Sequence, residues 1–143
     1  MSGASGGAGG SRLVVNVDGG ARGNPGPAAI AAVISTPAGE VLEEHSERIG
    51  DATNNVAEYR ALLLGVERAR SRGARQVELI GDSELVVRQV RGEYRVKDEA
   101  LKGLYAKVVR SLADFDAWSI RHVRREDNAE ADRLVNVALD ASE

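Results

Sequence analysis

The sequence has no cysteine among its 143 residues, which excludes a disulfide framework and any thiolate chemistry. This absence fits a reducing compartment, and a cytoplasmic location is the expectation. No apolar run approaches the roughly 20 residues that a membrane-spanning helix needs, so no membrane association is expected. The N-terminal stretch MSGASGGAGGS lacks the apolar segment of a signal peptide and predicts a flexible Gly/Ser/Ala-rich tail over residues 1–11.

An excess of positive charge is also missing. Nineteen Lys and Arg residues against 22 Asp and Glu residues give a formal net charge of −3, which argues mildly against a nucleic-acid-binding protein. The positive charge is nevertheless uneven. The segment VVRQVRGEYRVK (residues 86–97, here the basic segment) holds one acid and four cations, Arg88, Arg91, Arg95 and Lys97. A solvated surface is an equally good interpretation of so short a run.

What remains is the composition of one globular domain, with 43% hydrophobic and 29% charged residues. We expect this domain over residues 12–140, as a monomer. Its apolar patterns predict strands at 12–17, 27–34, 41–48, 76–80 and 117–123, and helices at 56–72, 83–92, 98–113 and 128–139. Asp127 and Glu130 have capping-box spacing before the last helix. Three antiparallel strands followed by helical crossovers predict an α/β fold, a mixed sheet with helices packed on it.

Two carboxylates stand where predicted strands end. Asp18 follows the first strand, and Asp82 follows the fourth. If these strands are neighbours, both carboxylates emerge at the same end of the sheet, where open α/β sheets place their sites. The Asp-Gly pair at residues 18–19 has another interpretation, because Asp-Gly between two strands is a strong signal of a tight turn.

Two further acids lie on apolar helix faces. Glu58 is predicted in the first turn of its helix and shares a stripe with Leu62, while Asp132 shares one with Val135 and Leu139. For either acid alone, a favourable position near the positive end of the helix or at the edge of the stripe is a sufficient explanation.

Together, the four acids indicate a metal centre. Four carboxylates brought together in a dry site cannot all ionise without cations. Oxygen ligands with no His or Cys suit Mg²⁺ or Mn²⁺. Such a cluster is able to hold two metal ions for in-line phosphoryl transfer.

Four sequence blocks resemble the signature blocks of the type 1 ribonuclease H family. They are DGGARGNPGPA, TNNVAEYRALLLG, DSELVVRQV and REDNAEADRLVNVA, in that order. The likeness covers residues 12–140 and is strongest to compact bacterial members, including those fused to a phosphatase domain. It implies the ribonuclease H-like fold, with five strands in the order 3-2-1-4-5. It also implies endonucleolytic cleavage of the RNA strand of RNA–DNA hybrids by two Mg²⁺ ions, leaving 5′-phosphate and 3′-hydroxyl ends.

The resemblance also implies roles for individual residues. The acids that would hold the metal ions and act in catalysis are Asp18, Glu58, Asp82 and Asp132. The hybrid would contact Gly19, Gly20, Asn24, Thr53, Asn54 and Asn55, although turn and cap chemistry explains the Asn side chains equally well. Family members often carry Gln or Asn where this chain has Glu84, and some have a long basic protrusion that is missing here. Contacts to the DNA strand would therefore come from the basic segment, through Arg88, Arg91, Arg95 and Lys97.

Many family members use a mobile histidine before the fourth acid to assist turnover. His122 lies ten residues before Asp132 and matches that spacing, whereas Arg125 lies seven residues before it. His122 alternates with Trp118 and Ile120 on one strand face, which favours a packing role. The stretch RRED (residues 124–127) is typical of a loop, and a guanidinium matches phosphate geometry, so Arg125 is the preferred assisting group.

Three other functions fit the sequence less well. A dinucleotide-binding Rossmann site is a poor match, because GGARGNPG leads into a strand and Pro25 and Pro27 disfavour a helix. A catalytically weak hybrid-binding module usually lacks part of the acidic set, and all four acids are present here. A related metal-dependent DNA nuclease shares the metal chemistry, but the Asn-rich block favours the hybrid nuclease.

Overall fold

A computed structural model describes residues 12–141 of the chain, so the tail expected over residues 1–11 lies outside the described residues. Within residues 12–141 there are five strands, four α-helices and one 3₁₀ turn. In chain order they are β1 (Arg12–Ala21), β2 (Gly26–Ser35), β3 (Val41–Ala52), α1 (Asn54–Ser71), β4 (Gln76–Gly81), α2 (Glu84–Val90), α3 (Glu99–Leu112), β5 (Ala117–His122), the 3₁₀ turn (Arg125–Asn128) and α4 (Ala129–Asp140). None of the described helices has the length and apolar character to cross a membrane.

The sheet has the order β3-β2-β1-β4-β5, which confirms the expected fold. Strands β1, β2 and β3 pair antiparallel, and β4 pairs parallel with both β1 and β5. The residues TPAGE form the short connection between β2 and β3, in which the Thr36 carbonyl accepts a hydrogen bond from Gly39 N at 2.9 Å. Parallel neighbours require longer crossovers, and the helices supply them.

Both faces of the central strands are covered. Helix α1 packs on one face and α3 packs against α1, in a core that includes Val15, Val17 and Leu79. Helix α4 covers the other face of β2, where Val135 and its apolar neighbours pack against alanines and Val33. Strand β2 is therefore a continuous apolar run in the sequence, because neither of its faces meets water.

Helix α1 approaches the sheet closely at Gly65. A Cβ atom at this position would lie 2.7 Å from Cγ1 of Val15 and 2.9 Å from Cγ1 of Val17. Because glycine has no side chain, the α1 backbone is able to lie close to β1 at this position.

Two expectations about helix starts are wrong. Helix α1 begins at Asn54, with Thr53 Oγ1 accepting a hydrogen bond from Val56 N at 3.2 Å, so Glu58 lies beyond the first turn. The capping box of Asp127 and Glu130 does not form. The 3₁₀ turn occupies residues 125–128, and the Glu130 carboxylate instead binds Arg133 at 2.6 Å.

A buried polar link joins α1 to the basic segment. The Tyr59 hydroxyl donates a hydrogen bond to Gln89 Oε1 at 2.7 Å, and Gln89 Nε2 donates to the Arg95 carbonyl at 3.3 Å. Tyr59 and Gln89 are both buried. A buried amide and hydroxyl need partners, so this link holds the backbone of the basic segment against the core.

Candidate active site

The site lies where two neighbouring strands separate. Strand β1 pairs with β4 only as far as Asn16, opposite Ile80, but pairs with β2 as far as Ala21. Asp82 directly follows β4, as predicted, whereas Asp18 lies inside β1. The expected strand end at residue 17 and the Asp-Gly turn are therefore wrong, because pairing with the apolar β2 extends β1 through residues 18–21. The chain reverses instead between Ala21 and Gly26.

Gly19 lets α1 bring Glu58 to this opening. A Cβ atom at Gly19 would lie 2.3 Å from the Ala57 carbonyl oxygen, so the helix backbone packs directly on the strand. The backbone N–H of Gly19 donates a hydrogen bond to the Glu58 carboxylate. One glycine thus sets both the position of the helix and the position of its acidic side chain.

Three carboxylates meet at this point. Asp18, Glu58 and Asp82 each offer one oxygen, and the three atoms lie within 4.8 Å of one another. Asp132, on α4, shares a hydrogen bond with the Asp18 carboxyl group. All four acids line an open cavity of about 400 Å³.

The crowding changes the proton affinity of two of these acids. Burial, together with the nearby charges of Asp82 and Asp132, raises the pKa of Asp18 from 3.8 to about 8. Burial and the charges of Asp18 and Asp82 raise the pKa of Glu58 well above its usual value. Without a cation, the site therefore retains protons near neutral pH. A bound cation would offset the repulsion that keeps these acids protonated. A converging set of oxygen donors suits a hard divalent cation such as Mg²⁺.

Arg125 and His122 lie in different surroundings. Arg125, in the 3₁₀ turn rather than in a loop, lines the cavity, and its positive charge partly opposes the rise in the pKa of Asp18 and of Glu58. His122 is the last residue of β5, pairs with Gly81 and is exposed outside the cavity lining. The expectation that His122 is packed is wrong, because the strand ends there and leaves the ring in solvent.

The Asn-rich positions connect two loops beside the cavity. Asn24 Oδ1 accepts a hydrogen bond from Asn54 N at 3.0 Å, and Asn54 Oδ1 accepts one from Ala21 N at 2.8 Å. Asn54 and Asn55 line the cavity together with Gly19 and Gly20, whereas Asn24 and Thr53 do not. The turn and cap roles of Asn24, Thr53 and Asn54 are thus present, and they hold the cavity rim in place.

The basic segment lies outside the cavity lining, and half of its cations already have partners. Arg88 pairs with Glu84 at 2.9 Å and with Glu93 at 3.0 Å, and it lies over the Tyr94 ring. Arg91 pairs with Glu93 at 3.3 Å. Arg95 and Lys97 form no ion pair with any residue of the described part of the chain. Only these two cations of the segment are free to meet a phosphate without breaking an existing contact.

Three residues at or beside the cavity were not predicted from the sequence. Arg22 lines it and bridges Asn136 Oδ1 at 3.4 Å and Asp140 at 2.7 Å. Asn136 also lines the cavity, and the buried Asn128 lies behind Asp82. Asn128, Asp132 and Asn136 recur at four-residue spacing, a signal that places them on one side of a helix. Nothing in the sequence distinguished Arg22 from an ordinary solvent-exposed residue of its loop.

Comparisons with known proteins agree on one family. A family model described as reverse transcriptase-like matches residues 16–138. Ribonuclease HI of Halobacterium salinarum is 44% identical over 131 residues, which are 92% of this chain and 66% of that protein. The bifunctional protein Rv2228c of Mycobacterium tuberculosis is 43% identical over 132 residues, which are 36% of its length. The chain thus spans about two thirds of the archaeal relative and about a third of the mycobacterial one.

Solved structures give the same picture. The crystal structure of the Halobacterium enzyme superposes with a TM-score of 0.88, covering 91% of this chain and 98% of that one at 43% identity. The N-terminal RNase H domain of Rv2228c gives a TM-score of 0.89 at 43% identity, with 92% and 95% covered. LC11-RNase H1, solved in complex with an RNA/DNA hybrid, gives 0.87 at 44% identity, with 91% and 98% covered.

Proposed function

This chain belongs to the ribonuclease H family, and on that premise we propose that it is an endoribonuclease that hydrolyses the RNA strand of RNA–DNA hybrids. The products are RNA ends with 5′-phosphate and 3′-hydroxyl groups. The observation that carries the proposal is the meeting of Asp18, Glu58 and Asp82 within 4.8 Å at an open cavity. The relative solved with a bound RNA/DNA hybrid supports the substrate.

Asp18, Glu58, Asp82 and Asp132 are the residues that would hold the cations, and we propose two Mg²⁺ ions, which Mn²⁺ is able to replace. When bound, these ions supply Lewis acidity for phosphodiester hydrolysis. The chain itself orients the ligands, because the Gly19 N–H fixes the Glu58 carboxylate and Asp132 hydrogen-bonds to Asp18. The positive charge of Arg125 on the cavity wall attracts the phosphate.

The rim of the cavity is where the duplex is recognised. Asn54 and Asn55 present amide groups there, and Gly20 leaves room for a sugar-phosphate backbone. Selection of RNA over DNA requires a contact to the 2′-hydroxyl. We assign this contact to the Glu58 carboxylate and to the backbone around Gly19 and Gly20. The cavity is built from a single chain, so we propose that a monomer acts. We also propose a cytoplasmic location, because the cysteine-free sequence fits a reducing compartment.

A cleavage assay on matched duplexes tests the proposal. One sequence is prepared as RNA–DNA hybrid, double-stranded RNA and double-stranded DNA, each labelled on one strand. With Mg²⁺, only the RNA strand of the hybrid is expected to be cut, and EDTA is expected to stop the reaction. Ca²⁺ is expected to bind without supporting turnover, because its looser coordination misplaces the reacting oxygens. A hybrid-binding module would bind the hybrid without cutting either strand, and a DNA nuclease would cut the DNA duplex.

Arg125 is expected to matter more for turnover than His122. Because its guanidinium lies at the cavity beside the acids, Arg125→Ala should lower kcat at saturating hybrid by about tenfold to a hundredfold. His122→Ala is the matched control and should change kcat by less than about twofold, since the exposed ring is outside the cavity lining. If His122→Ala is folded and loses more turnover than Arg125→Ala, His122 is the assisting group.

Two double variants separate the cations of the basic segment. Arg95→Ala with Lys97→Ala should weaken hybrid binding and reduce the slope of log K against log salt by about two, one for each lost phosphate contact. Arg88→Ala with Arg91→Ala should change the slope less, because Glu84 and Glu93 already hold those arginines. The measurement is a binding titration at several salt concentrations with Ca²⁺ present. Unchanged slopes in both variants would identify the segment as a solvated surface.

A further inference from the structure

Asn128 has an unusual position for a polar residue. It is 2% exposed and is the last residue of the 3₁₀ turn, directly before α4, yet its side chain makes no capping bond to the helix. Its Nδ2 donates to the Val17 carbonyl at 2.8 Å and to Asp82 Oδ2 at 3.3 Å, and its Oδ1 accepts from Asn16 Nδ2 at 3.0 Å. Every polar atom of this buried amide therefore faces the opening between β1 and β4.

Val17 and Asp82 belong to separate elements, and no backbone pairing joins these elements at this end of the sheet. Pairing between β1 and β4 ends at Asn16, just before Val17 and Asp18. Asp82 lies past the end of β4. Asn128 bridges this gap, and it stands three residues after Arg125 and four before Asp132. One amide thus ties together the segments that carry the cavity's catalytic candidates.

The bond to Asp82 distinguishes Asn128 from a residue that only stabilises the core. Within residues 12–141, no other group donates a hydrogen bond to the Asp82 side chain. A fixed donor that binds one oxygen of a carboxylate restrains the plane of the group, and the other oxygen points away from that donor. Groups that hold metal-ligating carboxylates in this way tune both metal affinity and rate.

We propose that Asn128 is a positioning residue that orients the Asp82 carboxylate toward the cation site. The inference rests on the proposed function, since it assigns Asp82 as a ligand. Asn128 touches neither substrate nor cation. Its effect therefore appears first in metal affinity and only through it in turnover.

The test uses Asn128→Ala and Asn128→Ser in the full chain, with Asn16→Ala as the matched control. Serine disturbs the packing less than alanine, but its hydroxyl is too short to reach Asp82. Asn16→Ala removes the bond accepted by Asn128 Oδ1 and leaves both bonds that Asn128 donates. Binding of Mg²⁺ alone is measured by calorimetry, at a temperature where melting in EDTA shows each variant folded. Hybrid cleavage is then titrated with Mg²⁺.

Both Asn128 variants are expected to bind Mg²⁺ about tenfold to a hundredfold more weakly than the wild type. Raising Mg²⁺ should recover much of their kcat, with KM for the hybrid unchanged. Asn16→Ala should keep wild-type Mg²⁺ affinity even where its melting temperature falls. If either folded Asn128 variant binds Mg²⁺ like the wild type, Asn128 serves the core alone and the inference is wrong. A wild type that binds Mg²⁺ but cleaves no hybrid would overturn the proposed function and leave the Asn128 comparison decisive.

Discussion

Replacing Asp18 by asparagine is expected to lower hybrid cleavage by about a thousandfold or more, which corresponds to roughly 4 kcal/mol of transition-state stabilisation. Asp18 is at the centre of the carboxylate group, within 4.8 Å of its partners and hydrogen-bonded to Asp132. Asparagine preserves the shape but removes the charge that attracts a cation. Single-turnover cleavage with Mg²⁺ measures the loss, and circular dichroism checks that the fold remains. Residual activity within about tenfold of wild type would contradict the assignment of Asp18.

The same variant should be more stable than the wild type when metal is absent. The unfolded chain releases the Asp18 proton near pH 3.8, whereas the folded chain holds it until about pH 8. The folded state therefore binds more protons between these values, and wild-type stability falls as the pH rises through this window. The asparagine side chain of the variant cannot ionise, so the gain in melting temperature should grow from about pH 4 to pH 8.

Melting curves in EDTA at several pH values test this expectation. Asp51→Asn is the control, because Asp51 is exposed on β3 and takes part in no ion pair within the described residues. It should show no such pH-dependent gain. Adding Mg²⁺ should stabilise the wild type more than Asp18→Asn. An Asp18→Asn protein that melts below the wild type at pH 8 would contradict repulsion among the carboxylates of the site.

Gly19→Ala is expected to have the second large effect. The added methyl would lie 2.3 Å from the Ala57 carbonyl oxygen, a backbone atom that is unable to move without the helix. Helix α1 must then shift from β1 and carry Glu58 with it, which should lower turnover by about a hundredfold. The strain should also destabilise the fold by roughly 1–3 kcal/mol. Hybrid cleavage and urea unfolding measure the two effects.

Gly20→Ala provides the matched control one residue further along the strand. Its added methyl would lie 3.9 Å from Val135 Cγ1, which is an ordinary contact. This variant should fold with near-wild-type stability. If Gly19→Ala is as stable as Gly20→Ala and keeps wild-type turnover, the close approach of α1 at Gly19 does not control the site.

The order of elements was predictable because each apolar pattern has a clear period. The far end of β1 was not, since Asp18, Gly19 and Gly20 are poor strand formers and only their pairing with β2 makes them a strand. The start of α1 differed for a local reason, because Thr53 caps the helix and draws Asn54 and Asn55 into its first turn. Only at the end of β1 did a contact distant in sequence override local preference.

Glu58 and Asp132 were visible in the sequence because a carboxylate on an apolar stripe is costly without a partner. Asp18 and Asp82 were visible because they follow predicted strands that end at the same edge of the sheet. Asn128 and Arg22 were not singled out from the sequence, since an Asn before a helix and an Arg in a glycine-rich loop are common for local reasons. The ion pairs within the basic segment were not predictable from the sequence either. Counting cations does not reveal that Glu93 pairs with both Arg88 and Arg91.

Glu58 and Tyr59 are successive residues of α1, and their side chains serve two different surfaces. Glu58 reaches the cavity, while Tyr59 holds Gln89 and through it the backbone of Arg95. The cavity and the basic segment are therefore both fixed to one helix. On the proposed function, a hybrid long enough to span both surfaces would gain a second contact at high effective concentration, and a shorter one would not. Cleavage is therefore expected to depend on duplex length.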